Sequence, residues 1–577
     1  MTKSTAPPPA KKKITTKSIA VKPAAKSSAM VAKAGKNGLP RKPKAPKLQD
    51  IFGGAGFKHI PADNIHFKLQ ERMGEIDHIF VWENVVLLCE ETAGKDVSAH
   101  CTKKIFFHRL IAADWPGFFD AYRLLNKDLD AYIGNKYLPQ ELEVRHIYYS
   151  EEHDVGQGVG VNADPFQILS RSQASYFSSL TKTIAKSAKY EILKYLGVTL
   201  NRVGKARISG SGVSSQSFPG FAIPAAHTNY PKGFAVVSFY ADPMSLIQRA
   251  YVLRRDGWEN PDLSYQRFVR AEKLGEMRDY LSNNGKVFIN NLIVTLPSQA
   301  LLRSSDGIVD PNVFAQKTYV NLELPLELGT VGIVDGQHRI LAYFEGDGPI
   351  EKKIEPLRER QNLLVTGIIF ASNYTPDMRV KFEAELFLAI NNTQTGVNTQ
   401  LRQDLETIIN PETPLAIARS IVNRLSHTGP LEGLMQMSQF DPPEKIAAGS
   451  LGPYVVKPLT QKGSPLFKSW DPTGVRNLTD VGHRQEYINY CVAEINKLLV
   501  GARHNLGGRW KPSAQAGVLS TTAVGGLILL LGRFATKHKT THELDFPTLL
   551  KPLEKFDFSA YTGSSWGRLS KNLFAEV

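Results

Sequence analysis

The sequence predicts an α/β protein with two folded regions behind a basic tail. Three observations carry that reading: residues 75–90 have the composition of a β-hairpin, residues 234–389 alternate strand-like and helix-like segments, and residues 401–577 are mostly helical in pattern. A chain of 577 residues has the length of about three or four ordinary domains, or two large ones. Hydrophobic residues make up 42% and charged residues 22%, which excludes disordered, collagen-like and membrane classes for the bulk of the chain.

The first 48 residues are Lys, Ala, Pro, Ser and Thr with almost no large apolar side chains, so they are expected to be disordered. Residues 1–49 hold 13 Lys or Arg and no acid; 70 − 13 leaves 57 basic against 55 acidic residues, so the body is near +2 although the whole chain is +15. The tail reads either as an arm that grips DNA or RNA by its phosphates or as a solubilising extension. It lacks the apolar core of a signal peptide. Cys89, Cys101 and Cys491 match no disulfide or zinc spacing, and a reducing, cytoplasmic setting is expected. The longest apolar run, Ala523 to Gly532, falls far short of the roughly 20 residues of a membrane span. It reads as a buried helix, and no membrane partner is expected.

Order is expected from Leu48 onward. Glu75 to Trp82, a Glu83-Asn84 turn, and Val85 to Glu90 read as a hairpin. Ser98 is placed as the N-cap of a helix through Cys101, Ile105, Phe106 and Leu110. Over residues 174–196, Phe177, Leu180, Ile184, Ala188, Ile192 and Tyr195 recur at helical spacing, with Lys182, Lys186, Lys189 and Lys194 on a solvated face. The Gly/Ser-rich stretch from Ser209 to Ser217 marks a boundary, dividing the chain into 50–205, a linker 206–218, a core 219–400 and a helical part 401–577. Within the core, strands are expected at 234–240, 287–294, 331–334 and 363–370, and helices at 243–253, 265–281, 337–344 and 377–389. No internal repeat is present.

The sharpest signal is Val334-Asp335-Gly336-Gln337-His338-Arg339-Ile340. A strand of small apolar residues runs into a turn that Gly336 permits, and a helix then begins with free N–H groups that suit an anion. Arg339 can clamp a phosphate, His338 can move a proton near neutral pH, and Asp335 can bind a metal or orient a neighbour. In the competing structural reading Asp335 caps the helix and pairs with Arg339. The string resembles the signature of the DGQHR-domain family, which includes DndB-type proteins of bacterial DNA-modification and defence systems. Tyr265-Gln266-Arg267 resembles that family's YQR element, residues 288–297 its following strand, and Phe387 to Gln394 its Asn-Thr strand end, together covering about residues 230–400.

The resemblance implies a ParB/sulfiredoxin-like α/β core with C-terminal helical additions. It implies a nucleotide triphosphate, ATP or another, on Gly336, His338 and Arg339, with Gln266, Arg267, Asn391 and Thr393 lining the same pocket and Asp335, Gln337, His338 and Arg339 carrying catalysis. For the four lining residues, helix register and core hydrogen bonding is the competing reading. DNA and the proteins of a DNA-modification system are the implied partners.

A second constellation lies nearer the N-terminus. Glu75 and Asp77, two apart on one strand, face the same side, and Glu90 ends the neighbouring strand. Acids at the ends of paired strands can hold Mg²⁺ for phosphodiester hydrolysis. The arrangement resembles the PD-(D/E)xK nuclease core, a restriction-endonuclease-like α/β fold in which Asp77 and Glu90 would be the metal ligands. Where that pattern has a lysine two residues after the glutamate, this chain has Thr92, and Lys103 or Lys104 on the following helix could serve instead. An active nuclease, an inactive nucleic-acid-binding relative of the fold, and a hairpin whose acids merely face solvent all stay open.

Other motifs fail. Glu151-Glu152-His153-Asp154 reads as a solvated loop, Gly156-Gln157-Gly158-Val159-Gly160 misses dinucleotide spacing, and no GxxxxGK[ST], GxSxG or HExxH occurs. The expected function is a DNA-associated, nucleotide-binding protein, an NTP hydrolase of a DNA-modification or anti-phage system. The alternatives are a DNA-binding transcriptional regulator without catalysis and a metal-dependent DNA nuclease gated by the DGQHR region.

Overall fold

The structure is a computed structural model. It describes residues 45–577 apart from Glu71, Asn135, 205–214, Arg255, Asp256, 259–265, Arg267, 395–404 and Glu406; the side chains of Gln157 and 391–394 also lie outside the described residues. The first sheet begins with β1 (Lys58–Pro61), after which β2 (Phe67–Leu69) and β3 (Arg72–Gly74) form a separate small ladder. The expected hairpin follows as β4 (His78–Trp82) and β5 (Val85–Thr92), with Glu83 in the turn at φ 51°. Helix α1 (Val97–Ala113), then α2 (Trp115–Leu125) and α3 (Lys127–Ile133), carry the chain over the sheet to β6 (Glu143–Ser150), which pairs parallel with β5. Past the short α4 (Gln157–Gly160), β7 (Phe166–Leu169) closes the order β1-β4-β5-β6-β7.

The run Val85-Val86-Leu87-Leu88-Cys89 is buried throughout because β5 is covered on both faces. Val86 and Leu88 pack under α1 and α2 with Phe107, Ile111, Phe118 and Tyr122. Leu87 and Cys89 face the other way, toward α5 (Arg171–Ile184), which begins at a capping box between Ser170 and Gln173. The single helix expected over 174–196 is interrupted at Ala185, φ 42°, and resumes as α6 (Lys189–Tyr195). The break releases the Lys186 N–H from helical bonding, and it donates to the Glu345 carbonyl at 3.0 Å.

Lys182 is exposed as expected, but Lys189 and Lys186 leave the solvated face for acids across the fold. Lys189 is 5% exposed and meets Glu345 at 2.6 Å, and Lys186 meets Asp347 at 2.7 Å.

The second sheet is built from β8 (Ser215–Pro224), β9 (Ala235–Ala241), β10 (Ala250–Tyr251), β11 (Leu292–Leu296), β12 (Leu301–Ser304), β13 (Gly307–Ile308), β14 (Thr318–Pro325), β15 (Val331–Asp335) and β16 (Leu363–Ile369). Its order is β10-β15-β11-β16-β9-β8-β14-β12-β13, mixed in direction. Helices α7 (Pro243–Arg249), α8 (Ala271–Asn284), α9 (Gln337–Leu341), α10 (Gly348–Arg360) and α11 (Pro376–Gln394) punctuate it, so the class is mixed α/β as expected.

Several local expectations shift, and the helix expected over 243–253 ends at Arg249, where β10 takes over. Residues 287–291 form no strand, the helix expected from 265 begins at Ala271, the helix expected to reach 344 stops at Leu341, and 387–394 are helical rather than a strand end. The Asn-Thr segment stays helical because α11 runs unbroken from Pro376, with no Gly or Pro to stop it before Gln394. Strand β8 also begins inside the stretch expected to be linker.

One apolar core runs from Leu48, Phe80 and Phe177 to Val237, Ile333 and Val365, so both sheets share it. Beyond residue 405 the helices Pro414–His427, Val481–Leu506, Thr521–His538 and Trp566–Glu576 enclose a second apolar cluster. The apolar run 523–532 lies within it, in Thr521–His538. Among the described residues no helix is long and apolar enough to cross a membrane.

Candidate functional site

Three of the expected nuclease-like residues converge under α1. Glu90 is fully buried on β5, and Lys104 reaches down from α1 to place Nζ 2.5 Å from Glu90 Oε2 and 3.5 Å from Asp77 Oδ1. Asp77 lies in the link before β4, not on the strand, and its Oδ2 accepts the Glu91 N–H at 2.9 Å, which fixes its direction. Glu90 sits within β5 rather than at its end, since the strand runs on to Thr92. Helix α1 starts two residues earlier than Ser98 would start it: Asp96 is the N-cap and accepts from Ala99 N at 3.1 Å.

Two expected members stay outside. The Glu75 side chain turns to His66, 3.6 Å away, and only its carbonyl accepts from Lys104 Nζ, at 3.3 Å. It is neither on a strand nor paired in direction with Asp77, because β3 ends at Gly74 and the chain bends before β4. Lys103 points to solvent, one position round the helix from Lys104.

Two histidines complete the cluster. His108, one turn beyond Lys104, places Nε2 2.8 Å from Glu90 Oε1, and its Nδ1 lies 2.8 Å from His146 Nδ1 on β6. With Glu90 ionised, His108 donates from Nε2 and accepts at Nδ1 from His146. Burial, then His146 and Lys104, hold His108 well below the usual imidazole range; burial takes His146 down to about 4. Both rings are therefore neutral.

Burial and the facing Asp77 carboxylate push Glu90 well above the usual carboxylate range, against the pull of Lys104. Burial works against the Lys104 charge too, but Glu90 and Asp77 outweigh it and its pKa is raised. Glu90 Oε2 has Lys104 as an ion-pair partner yet accepts no well-formed hydrogen bond.

Two hard carboxylate oxygens facing one another are the ligand type Mg²⁺ takes, but Lys104 Nζ already bridges them, so the ammonium would have to withdraw for the cation to enter. Among the described residues no third His, Cys, Asp or Glu makes a larger metal-holding group, and Lys104 supplies the positive charge between the two acids.

A parallel chain runs on the opposite face of the same strand. Glu91 Oε2 lies 3.1 Å from His78 Nε2, and His78 Nδ1 lies 3.2 Å from His59 Nε2.

The 335–339 turn has the expected strand–turn–helix form. Gly336 takes φ 99°, and a Cβ there would come within 2.4 Å of Leu292 Cδ2, so glycine is required twice over. Arg339 Nη2 pairs with Asp335 Oδ2 at 2.7 Å, and Nη1 donates to the Asn291 carbonyl at 2.5 Å. Asp335 does not cap α9; Gly336 stands at the cap with no side-chain bond.

His338 is half-buried. Burial first, and then Lys273, Arg270, Arg254 and Arg339, bring it down to about 4. Gln337 keeps a buried Oε1 with no hydrogen-bond partner among the described residues.

Of the expected lining residues, Gln266 is 2% exposed and its Nε2 donates to the Ile333 carbonyl, so it braces β15 from behind instead of facing a ligand. Arg267 lies outside the described residues, as do the side chains of Asn391 and Thr393, whose backbone belongs to α11. Next to Gln266, Arg254 is buried against Glu191 at 2.5 Å and the Tyr176 hydroxyl at 2.9 Å. That link ties the turn's supports to α5 and α6.

In comparisons with known proteins, no family model, no curated protein and no solved structure matches the chain.

Proposed function

We propose that the chain acts on DNA as a metal-assisted phosphodiester hydrolase, with Asp77, Glu90 and Lys104 as its site in a restriction-endonuclease-like N-terminal region. The observation that carries this reading is the meeting of the Lys104 ammonium with both carboxylates, from the helix that follows the acidic strand. That supplies the lysine that Thr92 fails to provide.

Asp77 and Glu90 would hold Mg²⁺, which when bound polarises the phosphate and lowers the pKa of attacking water. Lys104 offsets the charge that gathers on the phosphoryl oxygens as water adds and the P–O bond opens. His108 holds Glu90 Oε1, which leaves Oε2 to face Lys104. The Lys-rich first 48 residues would add phosphate contacts.

The test is nicking of supercoiled plasmid with Mg²⁺ or Mn²⁺ by wild type, Asp77→Asn and Glu90→Gln. Metal-dependent nicking by wild type alone supports the reading. Absence of nicking, or equal nicking by all three, refutes it.

A second reading is favoured by Lys273 and Arg270, whose charges bear on His338 beside the Arg339 of the turn, while Arg254 is already buried against Glu191. Such a cluster suits a polyanion, and with the resemblance of residues 335–339 it supports a nucleotide triphosphate at this turn, in a ParB/sulfiredoxin-like core of a DNA-modification or defence protein. The Arg339–Asp335 pair would have to open for Arg339 to reach a phosphate. Nucleotide binding that persists after Arg339→Gln would remove this reading.

A further inference from the structure

We infer that the C-terminal helical part holds a site for a small amphipathic carboxylate, independent of both readings above. A cavity of about 440 Å³ opens between the helix Thr521–His538, the helix Trp566–Glu576 and the segment around Leu459. Its size falls in the range of ligand pockets, which run from roughly 300 to 1,000 Å³. Leu459, Pro465, Leu529 and Phe574 give it an apolar wall.

The charged groups are few and of one sign. Arg533 and Lys537 both line the cavity, one turn apart on the same helix, and no Asp or Glu joins them there. Like charges at this spacing repel, and an apolar wall beside them lowers the screening by water. An anion between them would relieve that repulsion.

Arg533 is aimed. Its Nε donates to the fully buried Ser570 hydroxyl at 2.9 Å, which fixes the plane of the guanidinium. Its two terminal nitrogens have no bond to any described residue. A planar fork with two free donors matches a carboxylate better than a spherical anion. Lys537 Nζ lies over the Phe574 ring, 5.4 Å from its centre, so the second cation borders the apolar wall at the exposed rim. The head of the ligand would sit at Arg533 and Lys537, and its hydrocarbon along Leu459, Leu529 and Phe574.

The site is tested by calorimetric titration of the full chain with decanoate below its micelle concentration, beside acetate and decanol. Decanoate should bind one per chain, at least about a hundredfold more tightly than acetate, because each buried methylene adds roughly 0.8 kcal/mol. It should also bind at least about tenfold more tightly than decanol, which lacks the charge.

Lys537→Glu lies on the exposed rim and leaves the core intact; it should weaken decanoate binding at least about tenfold, as should Arg533→Met. Thermal unfolding without ligand checks that both variants are folded, and decanoate should raise the melting temperature of wild type alone. No decanoate binding, equal binding by Lys537→Glu, or decanol binding as tightly as decanoate would each overturn the inference.

Discussion

Lys104 Nζ and Glu90 Oε2 meet at 2.5 Å across the interface of α1 with β5, inside a layer where Glu90 has no exposure to solvent. A buried carboxylate paired with one ammonium is sensitive to loss of either partner, because the survivor is left charged or must take up a proton. Lys104→Met is expected to lower stability by about 3–5 kcal/mol at pH 8, and adding Glu90→Gln should restore part of it. Urea unfolding of the single and double variants measures the coupling. Strict additivity of the two substitutions would show that the pair does not interact.

His108 touches Glu90 and no candidate substrate position, so its effect is through orientation. His108→Phe is expected to reduce metal-dependent nicking about 10–100-fold and to raise the Mg²⁺ concentration needed for half-maximal rate. His108→Gln, which keeps a donor, should recover part of the metal affinity. A fall in rate with an unchanged Mg²⁺ requirement would contradict the orienting role.

Asp335 holds Arg339 in place at 2.7 Å. Asp335→Asn should therefore free the guanidinium and strengthen pyrophosphate binding, by about five- to tenfold, whereas Arg339→Gln should weaken it. Fluorescence or calorimetric titration with pyrophosphate separates the two. Weaker binding by Asp335→Asn would mean that the carboxylate itself serves the ligand, as the family resemblance implies.

Gly336→Ala forces a Cβ against Leu292 and puts a side chain at φ 99°. A loss of about 2–4 kcal/mol is expected, combining backbone strain with overpacking. Chemical unfolding of the variant reads it directly.

Buried histidines make the protein acid-sensitive, and His108 is held well below the usual imidazole range. His338 and His146 both titrate near 4 in the folded chain, against about 6.5 when unfolded. Between those values the unfolded state binds more protons, so stability rises with pH through this window; it is fully present above about 6.5 and is lost as pH falls toward 4. His146→Phe should flatten the stability profile between pH 4 and 6.5. A polyanion bound at the 335–339 turn should in turn raise the His338 pKa, which proton NMR of the imidazole can follow.

The hairpin and the glycine turn are legible in the sequence because both are local. The Glu83-Asn84 turn lies between two apolar runs, and Gly336 follows a short apolar strand. The convergence of Asp77, Glu90 and Lys104 is half legible: the acids stand out, but choosing Lys104 over Lys103 requires the phase of α1, which only packing fixes. His108 could have been found, since it lies four residues from Lys104 on the same face, but a histidine on a helix has no local mark of its partner. His146 is reached only through the parallel pairing of β5 with β6.

The rest depends on contacts distant in sequence. Lys189 has the spacing of a surface residue and is buried because Glu345 comes to meet it. Likewise the break at Ala185 has no Gly or Pro to announce it, and the Lys186 N–H that it frees goes to the distant Glu345 carbonyl. Gln266 has the look of a ligand contact and is a backbone brace because β15 runs directly beside it.

Strand β5 is apolar and covered on both sides, so sliding it by one residue would still bury Leu where Val had been, and oil alone would not object. The neighbouring acids would object. Glu90 looks to Lys104 and His108, Glu91 to His78 on the reverse side, and a slip would hand each acid to the other's partners. Deleting one residue between Val85 and Cys89 would therefore scramble the chemistry of both faces while leaving the greasy layer nearly indifferent. The two glutamates are the keys that index this strand in its lock.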